Sequence, residues 1–288
     1  DKEWHNGLRA TVQFRHERNE GAGDLFYQPL DAEGLPSADP ASHLKRLAFS
    51  EATIGLQFRP NASYVNTKQR RLVTNLDAPI FGLQHTMGLK GVFGGEHRYN
   101  FTEASVYKRF WMRSWGKLDV LAKAGAQWNK VPYPFLIMPA SNLSYIIDTR
   151  SFRLIRNMEF LNDRYASAIL NWDLNGKLFN RIPLLRELKW RENIGCNVLW
   201  GTLTDRNNPY LPQNAGDKDL FYFPGSFTND NGFEYMTRVM NPHKPYVEIV
   251  AGIHNVFKIV RLEYVHRLNY HTPGMQRWGI RGALEFSF

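Results

Sequence analysis

The chain has 288 residues, of which 43% are hydrophobic and 14% aromatic, and it carries a formal charge of +9. No stretch approaches the roughly 18 consecutive apolar residues of a membrane-spanning helix, so helical insertion is excluded. The mean hydropathy of -0.44 suits a soluble protein and equally suits strands in which apolar and polar residues alternate, so periodicity has to decide between them.

Leu8, Ala10, Val12 and Phe14 alternate with Arg9, Thr11, Gln13 and Arg15, which is the period of two expected of a strand with one apolar face. A long polar connection follows, from about His16 to Arg46. Ser63 to Leu72 is read as a further strand although Lys68 to Arg71 break its alternation, and Arg98 to Met112 alternates imperfectly. Leu118, Val120, Ala122, Ala124, Ala126 and Trp128 then alternate with Lys117, Asp119, Lys123 and Gln127. Pro132, Pro134 and Pro139 cluster in the next connection, where a missing amide proton removes no ladder hydrogen bond.

Ala166, Ala168, Leu170 and Trp172 continue the pattern, as do Ile194, Cys196, Val198 and Trp200. Between them Leu178, Phe179, Ile182, Leu184 and Leu185 make the turn unusually apolar; it is read as an interfacial anchor, a plug against the barrel mouth, or a docking surface. After a second long polar connection, Thr202 to Lys244, Val260, Leu262, Tyr264 and Leu268 alternate with Arg261, Glu263 and Arg267. In the last segment Trp278, Ile280, Gly282, Leu284, Phe286 and Phe288 oppose Arg277, Arg281, Glu285 and Ser287.

These segments are long enough for a tilted strand to cross a bilayer, which takes about 9 to 11 residues. A Lys or Arg at the midplane on the lipid face would cost about 2–4 kcal/mol, so the charged faces are assigned inward. Arg261, Glu263, Arg267, Arg281 and Glu285 are therefore expected in the lumen. The fold class read from the pattern is all-β: one transmembrane antiparallel β-barrel domain over residues 1–288, with about twelve strands here and up to 16 in an intact protein. With Phe288 on the periplasmic side of a cell outer membrane, both long connections fall outside and the apolar turn falls inside. Asp1 opens the chain without Met or a leader, so a signal peptide and an N-terminal periplasmic domain are expected to precede it. The Lys and Arg residues are dispersed and no nucleic-acid-binding motif occurs, which argues against nucleic acid as a partner. The single cysteine, Cys196, excludes an internal disulfide, and the spacing of the nine histidines suggests no metal site. No HExxH, GxSxG, phosphate-loop or paired-Cys motif points to catalysis, so no cofactor, no metal and no enzyme activity are expected.

Two stretches go beyond architecture. Val131-Pro132-Tyr133-Pro134-Phe135 with Phe160 to Ser167 and Asn175 to Glu192, together with Gly252 to Lys258 and Trp278 to Phe288, resembles a Bacteroidota outer-membrane family. In that family a carboxypeptidase-like regulatory domain precedes a barrel of unknown function. The hairpins are more loosely similar to the BamA-like surface-antigen superfamily, although no clear Arg-Gly-Tyr-type motif stands inside the barrel. The terminal Leu284, Phe286 and Phe288 look like the signal that the barrel assembly machinery reads by strand addition. The resemblance and the apolar turn together imply a non-enzymatic structural or accessory subunit in envelope biogenesis, secretion or surface transport. Its expected partners are outer-membrane lipid including lipopolysaccharide, the assembly machinery and other envelope proteins. A passive or anion-favouring channel is the alternative that the basic lumen suggests.

Overall fold

The computed structural model describes residues 1–68, 71–271 and 275–284. In chain order its strands are β1 (Lys2–Glu3), β2 (Leu8–Glu20), β3 (Arg46–Phe58), β4 (Tyr64–Asn66), β5 (Arg71–Val73), β6 (Ile80–Gly88), β7 (Tyr99–Trp111), β8 (Lys117–Gln127), β9 (Arg164–Asp173), β10 (Arg191–Thr202), β11 (Ser226–Thr228), β12 (Glu234–Met236), β13 (Tyr246–Val256), β14 (Val260–Arg267) and β15 (Trp278–Leu284), with one short helix, α1 (Pro183–Leu188), between β9 and β10. Eleven of the strands form a single antiparallel sheet in the order β1-β2-β3-β6-β7-β8-β9-β10-β13-β14-β15.

Alternation dictates the two faces of this sheet. One register row runs Leu56, Leu83, Ala104, Ala124, Ala166, Trp200, with every side chain outward and none charged. The outward residues Val12 (76% exposed), Ile54, Leu83, Val106, Ile249 and Ile280 are large and apolar, the reverse of a water-soluble protein's surface. The inward face carries Arg15, Glu51, Glu103, Lys123, Asn193, Glu248, Glu263 and Arg267, and it curls around a segment of the same chain. An apolar exterior around a polar interior is the inside-out pattern of a transmembrane β-barrel wall. Lys108, an outward cation, lies near the strand end and reaches the Asp77 carbonyl at 2.6 Å instead of sitting in the apolar band.

Connections sort by end. The short-turn end carries 112–116 and 257–259 together with 59–68, 71–79 and 174–190, whereas 21–45, 89–98, 128–163 and 203–245 leave the strands at the opposite end. The stretch read as a strand from Ser63 to Leu72 does not join the wall; β4 and β5 pair only with each other in a small hairpin. Its run of cations has no apolar face to present to lipid, which is why the wall passes directly from β3 to β6. Arg98 to Met112, by contrast, is the full wall strand β7 despite its irregular pattern. Phe101, Tyr107 and other aromatics on its inward face blur the alternation because they pack against the inner segment or neighbouring wall residues.

Candidate functional site

The polar lumen is occupied by much of the connection 128–163, which leaves β8, runs along the edge of β15 at 145–147 (the Ile147 N–H donates to the Gly282 carbonyl at 2.9 Å), enters the sheet's inner side and rejoins the wall at β9. Arg153 is its anchor. The guanidinium Nε donates to Glu263 on β14 at 3.1 Å, a second nitrogen donates to Asn171 on β9 at 3.2 Å, and both ion-pair side chains are fully shielded from solvent. The backbone N–H groups of Arg153 and Leu154 donate to the two oxygens of Glu248 on β13, at 2.8 and 3.1 Å. Asn197 (2.7 Å) and the Tyr246 hydroxyl (2.8 Å) complete that carboxylate's shell. A few residues on, Glu159 receives a two-pronged contact from Arg267 on β14, at 2.9 and 2.8 Å. Arg281 on β15 donates to the Arg153 carbonyl at 2.8 Å. Paired charges with filled hydrogen-bond shells are the condition under which ionised groups survive burial.

Shape follows the same logic. Beneath the inserted segment the inward row reads Gly195, Val250, Val265, Gly279, and Leu154 packs into the trough that these small residues leave. A Cβ on Gly279 would stand 3.2 Å from Leu154, so glycine there makes room for the plug. Gly252 performs the same service for the polar cluster, because a Cβ would come within 2.5 Å of Asn193 and 2.9 Å of Glu263.

At the long-connection end the lumen is covered. Leu25, Tyr27, Val131, Tyr133, Phe221 and Phe223 from three different connections bury one another as an apolar cap. Lys130 pairs with Asp217 across it at 2.5 Å, and Asn207 accepts from the Val131 N–H at 2.9 Å. His97 sits on the Phe135 ring, centroids 5.0 Å apart, and burial pushes its imidazole below the usual value. Burial likewise raises the Tyr27 and Tyr133 hydroxyls in the cap.

Open space remains around the plug. A cavity of about 610 Å³ lies between the plug and the wall, among Arg15, Glu51, Glu103, Lys123 and Gln127. Another, of about 370 Å³, lies towards the short-turn end among Arg109, Lys117, Asp119 and Arg261. Leu121, Ile169 and Arg150 border both. The charges lining the chambers are largely mutually satisfied: Arg15 pairs with Glu51 at 2.6 Å, Arg109 with Asp119 at 2.7 Å, and the Tyr99 and Tyr165 hydroxyls donate to Glu51 and Glu103. Such ladders brace a wall.

Of the residues expected in the lumen, Arg261, Glu263, Arg267 and Arg281 lie on the inward face. Arg261 contacts Glu263 at 2.7 Å, whereas Arg267 is committed to the plug residue Glu159. Glu285, Phe286 and Phe288 lie outside the described residues. Leu284 ends β15 opposite Val260 and is exposed. In the apolar turn Leu178, Ile182 and Leu184 are exposed while Phe179 and Leu185 are half-buried. The turn therefore presents most of its apolar side chains on the surface. His254 faces inward and meets Asp173 at 3.1 Å, and among the described residues no three metal-ligating side chains converge. Arg153 and Glu159 carry no signal in strand periodicity. Their sequence mark is the length of 128–163 and its content of apolar residues, which a free loop of that size would not hold.

This is an antiparallel β-barrel wall with an internal plug and an apolar cap. Residues 2–216 match the C-terminal domain of a family of unknown function (DUF5686), and the chain belongs to that family. Among solved structures it is similar to BamA from Haemophilus ducreyi lacking POTRA domains 1-3, at a TM-score of 0.43 and 11% identity over 96% of this chain and 51% of that one. The chain thus spans about half the length of that protein. No curated protein matches it.

Proposed function

We propose that the chain is an integral barrel of a bacterial outer membrane. In this reading it has a structural or accessory role in envelope biogenesis, secretion or surface transport and is neither an enzyme nor a passive pore. The observation that carries the reading is the lumen filled by the chain's own 128–163 segment and held by Arg153–Glu263 and Arg267–Glu159. A pore needs a continuous wet path, whereas this lumen is capped and holds a plug. In the proposed orientation the short-turn end faces the periplasm, and lipopolysaccharide and phospholipid surround the apolar band. The assembly machinery and other envelope proteins are its proposed partners. Mild-detergent extraction from native membranes should yield a stable complex, and planar bilayers containing the purified protein should show no steady conductance. A uniformly monomeric protein that conducts anions steadily would overturn the proposal.

A further inference from the structure

The connection between β9 and β10 is ordered and exposed at once. Glu192 ties it to the wall by accepting the Leu178 N–H at 2.7 Å, and Asn255 donates to the Lys189 carbonyl at 2.7 Å. Lys189 ends α1 in the left-handed region, at φ 55°, which turns the chain back into β10. So fixed, the turn presents Leu178, Ile182, Leu184 (70% exposed) and Leu188 outward. Among them stand Lys177, Arg181, Arg186, Lys189 and Arg191, with Glu187 the one exposed carboxylate of residues 175–191.

The turn also continues the lipid face. Trp172, the last outward residue of β9, pairs in register with Leu118 and Ile194, and its indole N–H donates to the Trp115 carbonyl at 2.9 Å. Lys177 crosses to the neighbouring turn, donating to Ser114 at 3.1 Å and lying 5.3 Å from the centre of the Trp115 ring. Exposed Phe110, Met112 and Trp115 extend the same rim. Indole rings at the edge of an apolar band, followed by leucines interleaved with cations, match the layering of a bilayer from acyl chain to headgroup.

We propose that this turn is an anchor seated in the headgroup layer of the adjoining leaflet, where its cations bind the phosphates of anionic lipids. The inference rests on the membrane-embedded reading, and the test separates the two. In a Cys196→Ala background, a spin label is placed through Leu184→Cys in the turn, through Val106→Cys on the wall as a lipid reference, and through Asn231→Cys as an aqueous reference. Collision with oxygen and with a water-soluble nickel chelate is measured in vesicles of phosphatidylcholine alone and mixed with phosphatidylglycerol. Expected is a Leu184 label with nickel accessibility several-fold below that of Asn231, falling further with phosphatidylglycerol. That further fall should vanish in Arg181→Gln/Arg186→Gln/Lys189→Gln. A water-accessible Leu184 label beside a lipid-accessible Val106 label overturns the anchor alone, as does a label shielded from both reagents, which would mean that protein covers the turn. A water-accessible Val106 label overturns the membrane reading and the anchor together.

Discussion

Arg153 and Glu263 lie 3.1 Å apart, one on the plug and one on β14, and neither side chain reaches solvent. Sequence separates them by 110 positions, so the pair closes a long loop. Removing one partner of a buried pair strands the other charge, at a cost of about 3–5 kcal/mol. Glu263→Ala, which leaves the Arg153 guanidinium buried without its carboxylate, is therefore expected to lower the thermal unfolding midpoint of the reconstituted barrel sharply, and by more than Arg153→Ala, after which Glu263 keeps Arg261 at 2.7 Å. Arg153→Met with Glu263→Leu should recover part of the loss, because replacing both buried charges removes their desolvation penalty along with the attraction, while Arg261 gives up its contact with Glu263.

The Arg267–Glu159 contact lies further along the same segment and makes a different prediction. Glu159→Ala leaves the Arg267 guanidinium buried against the Tyr246 ring, 4.8 Å away, with its carboxylate gone. Hydrogen exchange should then accelerate across 152–163 while the amides of β2, β3 and β6 keep their protection, since the wall ladder does not depend on the plug. Uniform acceleration over wall and plug alike would show that the two are one cooperative unit.

The cap should respond to acid through His97. Burial holds its folded pKa below the ordinary imidazole value of about 6.5, so the unfolded chain takes up the proton first. Cap stability then falls as pH drops through about 6.5 and levels off once pH is below the folded value. Tryptic cleavage of 203–245 followed against pH would detect the loosening. His97→Gln should flatten the His97 contribution to that profile.

How much of this could be read beforehand divides along physical lines. The wall was legible because a lipid-facing strand must alternate strictly, and Leu118 to Gln127 or Ile194 to Trp200 can satisfy a bilayer in no other register. The inward placement of Arg261, Glu263, Arg267 and Arg281 follows from the same constraint. The plug was not legible, because Arg153, Glu159 and Glu248 meet only through tertiary folding and a connection has no period to betray it. The cap was hidden for a related reason: Tyr27, Tyr133 and Phe221 come from three connections that each look like an isolated loop with a stray aromatic. Ser63 to Leu72 misled in the opposite sense, since a short hairpin has strand propensity without belonging to the wall.

The outward face gives the sharpest test of the barrel's surroundings. Ala124 sits mid-strand on β8, opposite Ala104 and Ala166 in the ladder, with its side chain exposed. On the surface of a soluble sheet, Ala124→Arg would change stability by no more than about 0.5 kcal/mol, because the guanidinium would reach water. Facing hydrocarbon near the midplane, the same substitution costs about 2–4 kcal/mol. Lys123→Ala, one residue away but inward, removes a cation that stands 3.6 Å from Glu103 in a wet chamber, and it is expected to cost about 1 kcal/mol or less. Folding of both variants into lipid vesicles, titrated with urea, should therefore place Ala124→Arg well below Lys123→Ala. Equal stabilities would mean that the apolar face is covered by something other than lipid.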